Sequence, residues 1–272
     1  MNTEFLPGFP RPLVFSHRGA SALAPENTLA AFLLAGQLGA PGIELDVHLC
    51  ATGELVVIHD DTPGRTGRLP SGEPLPGDRA CVPVEKMPLE ELRSYDFGIF
   101  FGRNFAGEKI PTLKEVLDAC RGRCFDIEIK TDSLRCRDVA RETAALLNRR
   151  PERENFIVSS FNPLALFHFR RYSDIPTALI YADEPTIPFF LRKGQGRLLC
   201  RPDIMKPSFA DIGRTGSAGT SSGGAVPPVY GRPWITWTVN TPENAADALS
   251  LGAQGIITNV PGEILDGLPG TR

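Results

Sequence analysis

Gly42-Ile43-Glu44-Leu45-Asp46-Val47-His48 is the stretch on which the fold turns. Successive side chains of a strand point to opposite faces, so Ile43, Leu45 and Val47 form one row and Glu44, Asp46 and His48 the other. Cys124 to Lys130 repeats the pattern, with Asp126, Glu128 and Lys130 opposite Phe125, Ile127 and Ile129. Two strands that each carry one apolar and one charged face fit a closed parallel barrel. There the charges collect at the carboxyl-terminal mouth, where such barrels place their chemistry.

Outward from these strands, β-branched apolar runs alternate with segments of helical period, the mark of repeated βα units. Strands are expected at Leu13–Ser16, Gly42–Val47, Cys124–Ile129, Asn155–Ser159, Thr177–Tyr181, Leu198–Met205, Trp234–Val239 and Gly255–Thr258. That set is the number that closes a (β/α)8 TIM barrel. Helices are expected at Leu29–Leu38, Leu113–Cys120, Arg135–Asn148, Pro163–Arg171, weakly at Ile187–Arg192, and at Pro242–Leu251, with Thr28 and Thr112 as N-caps. Residues 60 to about 110 are too long for an ordinary βα connection and read as a small inserted subdomain after the second strand. Residues 213–224, rich in Gly and Ser, read as a flexible loop.

The chain has 272 residues and a formal net charge of −3, which suits one barrel domain over 1–272 and leaves no positive field to hold a nucleic acid. The opening Met1 to Pro10 lacks a basic start followed by an apolar run, and no stretch reaches the ~18 apolar residues of a membrane span. No stable membrane insertion is expected. The six cysteines read as reduced thiols of a cytoplasmic protein, Cys120 and Cys124 being buried rather than metal-bound. The sequence alone does not specify an oligomeric state.

Glu44, Asp46 and Glu128 share the interior face, and charges there are costly unless paired or metal-bound. One reading gives them a divalent cation, Mg2+ or Ca2+, which oxygen ligands suit better than zinc; the other pairs them with Arg and Lys at the strand ends. His17 and His59 both end apolar runs, and a histidine pair beside a cation can divide general-base and general-acid duty. His48 precedes a turn and His168 lies in a helical run, so both read as structural. Arg18 and Lys130 add positive charge to the mouth, which together with a cation and two histidines points to a phosphoryl group. No Walker-type Gly-rich loop occurs, and Ser-nucleophile chemistry fits poorly.

His17-Arg18-Gly19-Ala20, Pro25-Glu26-Asn27-Thr28, Glu44-Leu45-Asp46-Val47, Val57-Ile58-His59-Asp60 and Arg65-Thr66 closely resemble the glycerophosphodiester phosphodiesterases. The likeness continues through Ile110-Pro111-Thr112-Leu113, Ile127-Glu128-Ile129-Lys130, Ser159-Ser160-Phe161, Trp237-Thr238-Val239-Asn240 and Gly255-Ile256-Ile257-Thr258. The resemblance implies a barrel that hydrolyses small glycerophosphodiesters to glycerol 3-phosphate and an alcohol with one divalent cation. It makes Glu44, Asp46 and Glu128 the metal ligands, His17 and His59 the acid/base pair, and Arg18, Lys130 and Trp237 the substrate contacts. Glu26 would order the first βα loop behind His17.

Other readings are a lysophospholipase D-like or sphingomyelinase D-like activity, which an apolar insert around Phe97, Ile99, Phe100, Phe101 and Phe105 would favour, and a non-catalytic phosphodiester-binding module. Three departures from the family pattern stand out. Asn259 replaces the usual aspartate after the last strand. The turn after the second strand is Ala51-Thr52-Gly53-Glu54. The 213–224 run stands where most of the sixth helix belongs, which leaves barrel closure open there.

Overall fold

The computed structural model describes residues 5–131, 136–212 and 229–268. Its frame is a ring of parallel strands: β1 (Leu13–His17), β2 (Gly42–Leu49), β4 (Cys124–Ile129), β5 (Phe156–Ser160), β6 (Thr177–Tyr181), β7 (Ile204–Pro207), β8 (Ile235–Thr236) and β9 (Gly255–Thr258). They follow the spatial order β7-β6-β5-β4-β2-β1-β9-β8. The ends of that series meet through parallel bridges Met205–Trp234 and Ser208–Trp237, with Met205 N donating to Pro233 O at 3.0 Å. The ring therefore draws together at the point the sequence left open. Residues 213–224 themselves lie outside the described residues.

β3 (Leu55–Val57) stands off the ring, antiparallel to β2, with Val47 opposite Val57 and Leu49 opposite Leu55. The turn between them places Gly53 at φ +94°, a conformation that L side chains rarely adopt.

Helices cover the outside of the ring. α1 (Leu29–Gln37) starts at Thr28, whose hydroxyl accepts from Ala31 N. α2 (Gly77–Ala80) and α3 (Leu89–Ser94) belong to the insert. α4 (Leu113–Ala119) opens with a reciprocal capping box between Thr112 and Glu115. α5 (Arg137–Leu147), α6 (Pro163–Phe169), α7 (Arg197–Cys200), α8 (Pro242–Ser250) and α9 (Pro261–Gly267) complete the layer.

Three expectations change. The run Leu198–Met205 is not one strand: Leu198 and Leu199 belong to α7 and are 76% and 43% exposed, Pro202 interrupts, and the strand starts at Ile204. Ile187–Arg192 forms turns rather than a helix, with Pro188 inside the run. The strand at Trp234–Val239 shortens to Ile235–Thr236, while α9 went unread because its start, Pro261-Gly262, resembles a turn.

The outer row of each strand packs under the helices, joining Ile43, Leu45, Val47, Ile127, Val158, Met205 and Ile256 to α4, α5 and α6. Inside the ring the lower storey is apolar: Leu13, Phe15, Cys124, Ile157, Ala178, Ile204, Ile235 and Ile257 fill it, and Phe5 and Leu6 plug its base. Gly42 belongs to this storey, since a Cβ there would meet the Phe15 ring at 2.6 Å. Two residues further along the same inward rows the chemistry changes, to His17, Glu44, Asp126, Ser159, Lys206 and Trp237. Burying the lower storey and the outer row drives closure, and closure brings the polar ends of the strands together at the mouth.

The segment after β3 has its own core of Ile58, Leu75, Val84, Met87, Leu92, Tyr95, Phe97 and Ile110. Asp96 organises it, accepting from the backbone N–H groups of Gly98, Ile99 and Gly107 at 2.8, 2.9 and 2.6 Å.

Candidate active site

In the β2–β4 register, Glu44 lies opposite Asp126 and Asp46 opposite Glu128. One carboxylate oxygen from each of Glu44, Asp46 and Glu128 lies within 4.8 Å of the other two, and all three residues are buried. Oxygens at this spacing can surround a single ion with ligand distances of about 2.0 to 2.6 Å, and a wholly carboxylate set suits a hard cation such as Mg2+ or Ca2+. The same acids are also ion-paired, so the two readings of the sequence coexist. Lys130 Nζ is 3.0 Å from Glu128 and 3.9 Å from Asp46, and Arg18 Nε is 3.3 Å from Asp46.

Burial alone would raise the Asp46 carboxyl, but Lys130, Arg18, His59 and a 2.9 Å hydrogen bond from Asn27 Nδ2 hold it well below the usual range. Glu44 goes the other way: burial, then the charge of Asp46, push it well above the usual carboxyl value. A divalent cation at the cluster would favour the ionised form of Glu44. Lys130 is displaced upward: its burial works against the charged form, but Glu128 and Asp46 outweigh it.

β1 delivers His17, and the chain then turns sharply through Arg18 at φ +54° and Gly19 at φ +84°. A Cβ at Gly19 would lie 2.6 Å from the Ala31 backbone, so the turn packs directly on α1. It also places Arg18 N within 3.1 Å of Glu44 Oε2. His17 Nδ1 meets Asn259 Oδ1 at 2.6 Å. Burial, then the charge of Arg18, lower the His17 pKa to about 4 despite the bond to Asn259, so the ring is a neutral base near pH 7.

His59 follows β3. Its Nδ1 donates to Asp60 Oδ1 at 2.7 Å, which leaves Nε2 as the nitrogen open to proton exchange. Asp60 is held by Arg65, whose guanidinium also clamps Glu26 at 2.7 and 2.9 Å, and Glu26 in turn accepts from Arg18 Nη1 at 3.0 Å. An ionic chain His59–Asp60–Arg65–Glu26–Arg18 thus ties the insert to the first βα loop. Glu26 does order that loop, and it does so by bridging two arginines.

His48 is buried beside the site and its Nε2 bonds the His59 carbonyl oxygen at 3.3 Å, a brace for that loop. Trp237 Nε1 donates to Lys206 O at 3.1 Å and its ring meets Phe161 edge to face at 5.5 Å. Phe161 also lies 5.9 Å from Lys130 Nζ, so Trp237, Phe161 and Lys130 form one flank.

Sequence reasoning missed Lys206, Asn27 and the roles of Asp60 and Arg65. Lys206 is two residues past Ile204 on an inward row, a signal that was hidden because the seventh strand was placed six residues early. None of the six cysteines forms a disulfide among the described residues. Burial raises Cys120 to about 11 and Cys124 to about 12, as expected of inert packed thiols.

Fold and mouth define an α/β-barrel enzyme whose polar centre is built from strand-borne carboxylates and histidines. The family model described as "Glycerophosphoryl diester phosphodiesterase family" matches residues 17–188. A glycerophosphodiester phosphodiesterase of Caldanaerobacter subterraneus subsp. tengcongensis is 33% identical over 259 residues, covering 94% of this chain and 97% of that protein. A putative glycerophosphodiester phosphodiesterase of Bacillus subtilis is 33% identical over 254 residues, covering 93% and 96%. The crystal structure of a putative glycerophosphoryl diester phosphodiesterase from Silicibacter pomeroyi superimposes with a TM-score of 0.79 at 27% identity, covering 96% of this chain and 95% of that one. The fold is shared too by an Oleispira antarctica phosphodiesterase in complex with the product sn-glycerol-3-phosphate, with a TM-score of 0.77 at 24% identity, covering 94% and 96%. The chain belongs to the glycerophosphoryl diester phosphodiesterase family and is a phosphodiesterase acting on glycerophosphodiesters.

Proposed function

We propose that this chain, one barrel domain with an insert at about 60–110, hydrolyses small glycerophosphodiesters to sn-glycerol 3-phosphate and an alcohol. In this reading Glu44, Asp46 and Glu128 hold one divalent cation, Mg2+ or Ca2+, while His17 and His59 move the protons. The observation that carries it is the three-carboxylate cluster, spaced within 4.8 Å at the mouth to which β1 and β3 deliver the two histidines. The product complex of the Oleispira antarctica phosphodiesterase supports a small-molecule substrate. Six cysteines without a disulfide among the described residues support a reducing, cytoplasmic setting, and among the described residues no helix is long and apolar enough to cross a membrane.

When bound, the cation supplies Lewis-acid polarisation of phosphoryl and hydroxyl oxygens. His17, with Nδ1 engaged by Asn259, presents Nε2 as a base to the 2-hydroxyl of the glycerol. As that oxygen forms its bond to phosphorus, the bond from phosphorus to the leaving alcohol breaks, and His59 Nε2 gives that alcohol its proton. The cyclic phosphate is then opened by water with the two histidines in exchanged roles. Intramolecular attack gains the proximity that a free water must be ordered to match. Arg18 and Lys130 offset charge on the phosphoryl oxygens, and Trp237 with Phe161 walls the alcohol side.

The deciding experiment measures turnover of glycerophosphocholine, glycerophosphoethanolamine and lysophosphatidylcholine, each with Mg2+, Ca2+ or chelator. Turnover of the first two that chelator abolishes supports the reading, whereas chelator-resistant turnover removes the cation from it. The lysophosphatidylcholine arm tests the lipid-processing alternative: of the insert's aromatics Phe97 is buried, whereas Phe101, which meets Phe100 and Phe105 edge to face, is 40% exposed. A 2-deoxy substrate that reacts as fast as its parent would replace the cyclic route by direct attack of water.

A further inference from the structure

Lys206 is 2% exposed, deep in the ring, level with Glu44 and two residues along the inward rows below Asp46 and Glu128. Its ammonium lies 2.8 Å from Asp126 Oδ2, 3.2 Å from Ser159 Oγ and 3.9 Å from Glu44 Oε1. Ser159 closes the arrangement by donating to Asp126 Oδ1 at 2.6 Å. Nothing in the proton transfers derived above uses this lysine, and burying an ammonium is costly unless its partners compensate.

Four acids, Glu44 and Asp46 on β2 and Asp126 and Glu128 on β4, face each other in register across two neighbouring strands. A double row of carboxylates of this kind has the donor count of a two-ion centre, whose metals stand about 3.5–4 Å apart. Here the lower pair, Glu44 and Asp126, already has a cation, because the Lys206 ammonium lies against both. Glu44 is shared: Oε1 faces Lys206, while Oε2 accepts from Arg18 N.

We infer that Lys206 is a built-in counter-cation, filling the place of a second metal ion beside Glu44 and Asp126 and competing electrostatically with the ion held by Glu44, Asp46 and Glu128. It is a positioning residue, and it fixes the site at one ion of moderated affinity. The inference rests on reading the three carboxylates as a cation site.

The test uses the full chain, with Ca2+ as the probe, by calorimetric titration, metal analysis of the dialysed protein and thermal unfolding with and without Ca2+. The unsubstituted protein binds one ion. Lys206→Met, of similar length without the charge, binds Ca2+ at least tenfold more tightly or takes up a second ion. Its melting temperature falls in chelator and recovers with Ca2+ by more than the unsubstituted protein gains. Asp126→Asn shifts affinity the opposite way, at least threefold weaker, because the Lys206 charge then falls on Glu44 alone.

One ion bound by Lys206→Met with affinity within twofold of the unsubstituted protein would make Lys206 a structural ion pair and overturn the inference. If Lys206→Met does not fold, Lys206→Gln decides: Ca2+ affinity within twofold of the unsubstituted protein overturns it equally. Absence of Ca2+ and Mg2+ binding by the unsubstituted protein would instead refute the cation site itself.

Discussion

His17 Nδ1 lies 2.6 Å from the side-chain oxygen of Asn259, so an amide holds the first histidine where a carboxylate would hold it more strongly. The same oxygen accepts from Ser21 Oγ at 3.0 Å, which orients the amide. An amide oxygen only accepts, so the His17 proton is on Nδ1 and Nε2 carries the lone pair. Asn259→Asp would place an anion against the ring and raise the His17 pKa from about 4. The expected result is that the acid limb of the kcat/KM profile moves to higher pH by about a unit or more. A profile unchanged in position would take His17 out of the role of base.

The same depressed value ties His17 to stability. Its native pKa of about 4 lies below the ordinary 6.5, so between these limits the unfolded chain binds a proton that the folded chain refuses. Stability therefore falls as pH drops from about 6.5 to about 4 and the His17 contribution then levels, a loss on the order of 3 kcal/mol. Urea titrations across this range should show a shallower slope for His17→Asn than for the unsubstituted protein.

Asp60 anchors His59 Nδ1 and is itself held by Arg65. Asp60→Asn keeps the shape but removes the anion that fixes the histidine tautomer. We expect kcat to fall about 10²-fold, within the range that general acid–base groups contribute, with KM little changed. Steady-state kinetics giving kcat within threefold of the unsubstituted enzyme would show that His59 needs no such anchor.

Asp96 carries the insert. Burial works against its ionised form, but the N–H groups of Ile99, Gly107 and Gly98 more than compensate, and its pKa lies below the usual carboxylate value. The stabilisation is present above the unfolded-state value near 4 and is lost as pH falls through the lower native one. Asp96→Asn should cost about 2 kcal/mol at pH 7, the scale of a hydrogen bond to a charged group. Limited proteolysis should then cut within residues 60–110 before the ring unfolds.

Much of the fold was legible because the two faces of each strand are chemically distinct. In β2 and β4 an apolar outer row alternates with acids, and the period-2 pattern alone puts Glu44, Asp46, Asp126 and Glu128 on one interior. Lys206 was missed because an exposed pair, Leu198 and Leu199, resembled the start of a strand and shifted the seventh strand early. The chain of Asp60, Arg65, Glu26 and Arg18 was unreadable for another reason. It joins residues up to 39 positions apart through side chains on irregular segments, where no periodicity records who meets whom. Asn27 is similar: at φ +58° its reach to Asp46 depends on a left-handed turn that the sequence permits but does not announce.

β3 leans on β2 from outside the ring, and the chain that leaves it returns alongside: Val57 N donates to Pro111 O at 2.9 Å, and Val56 bridges Thr112. Departure and return share one doorway, so the residues between them form an appendix whose length is free of the strand register of the ring. Yet that appendix starts with His59, one half of the proposed proton-carrying pair, while His17 stays on the ring. The wall beside the substrate can thus be rebuilt, residue by residue or wholesale, by exchange of a module that leaves every ring hydrogen bond in place. Any such exchange must keep His59 and its partner Asp60 at the threshold, so the insert is tied to the chemistry at its first residues and free of it beyond them.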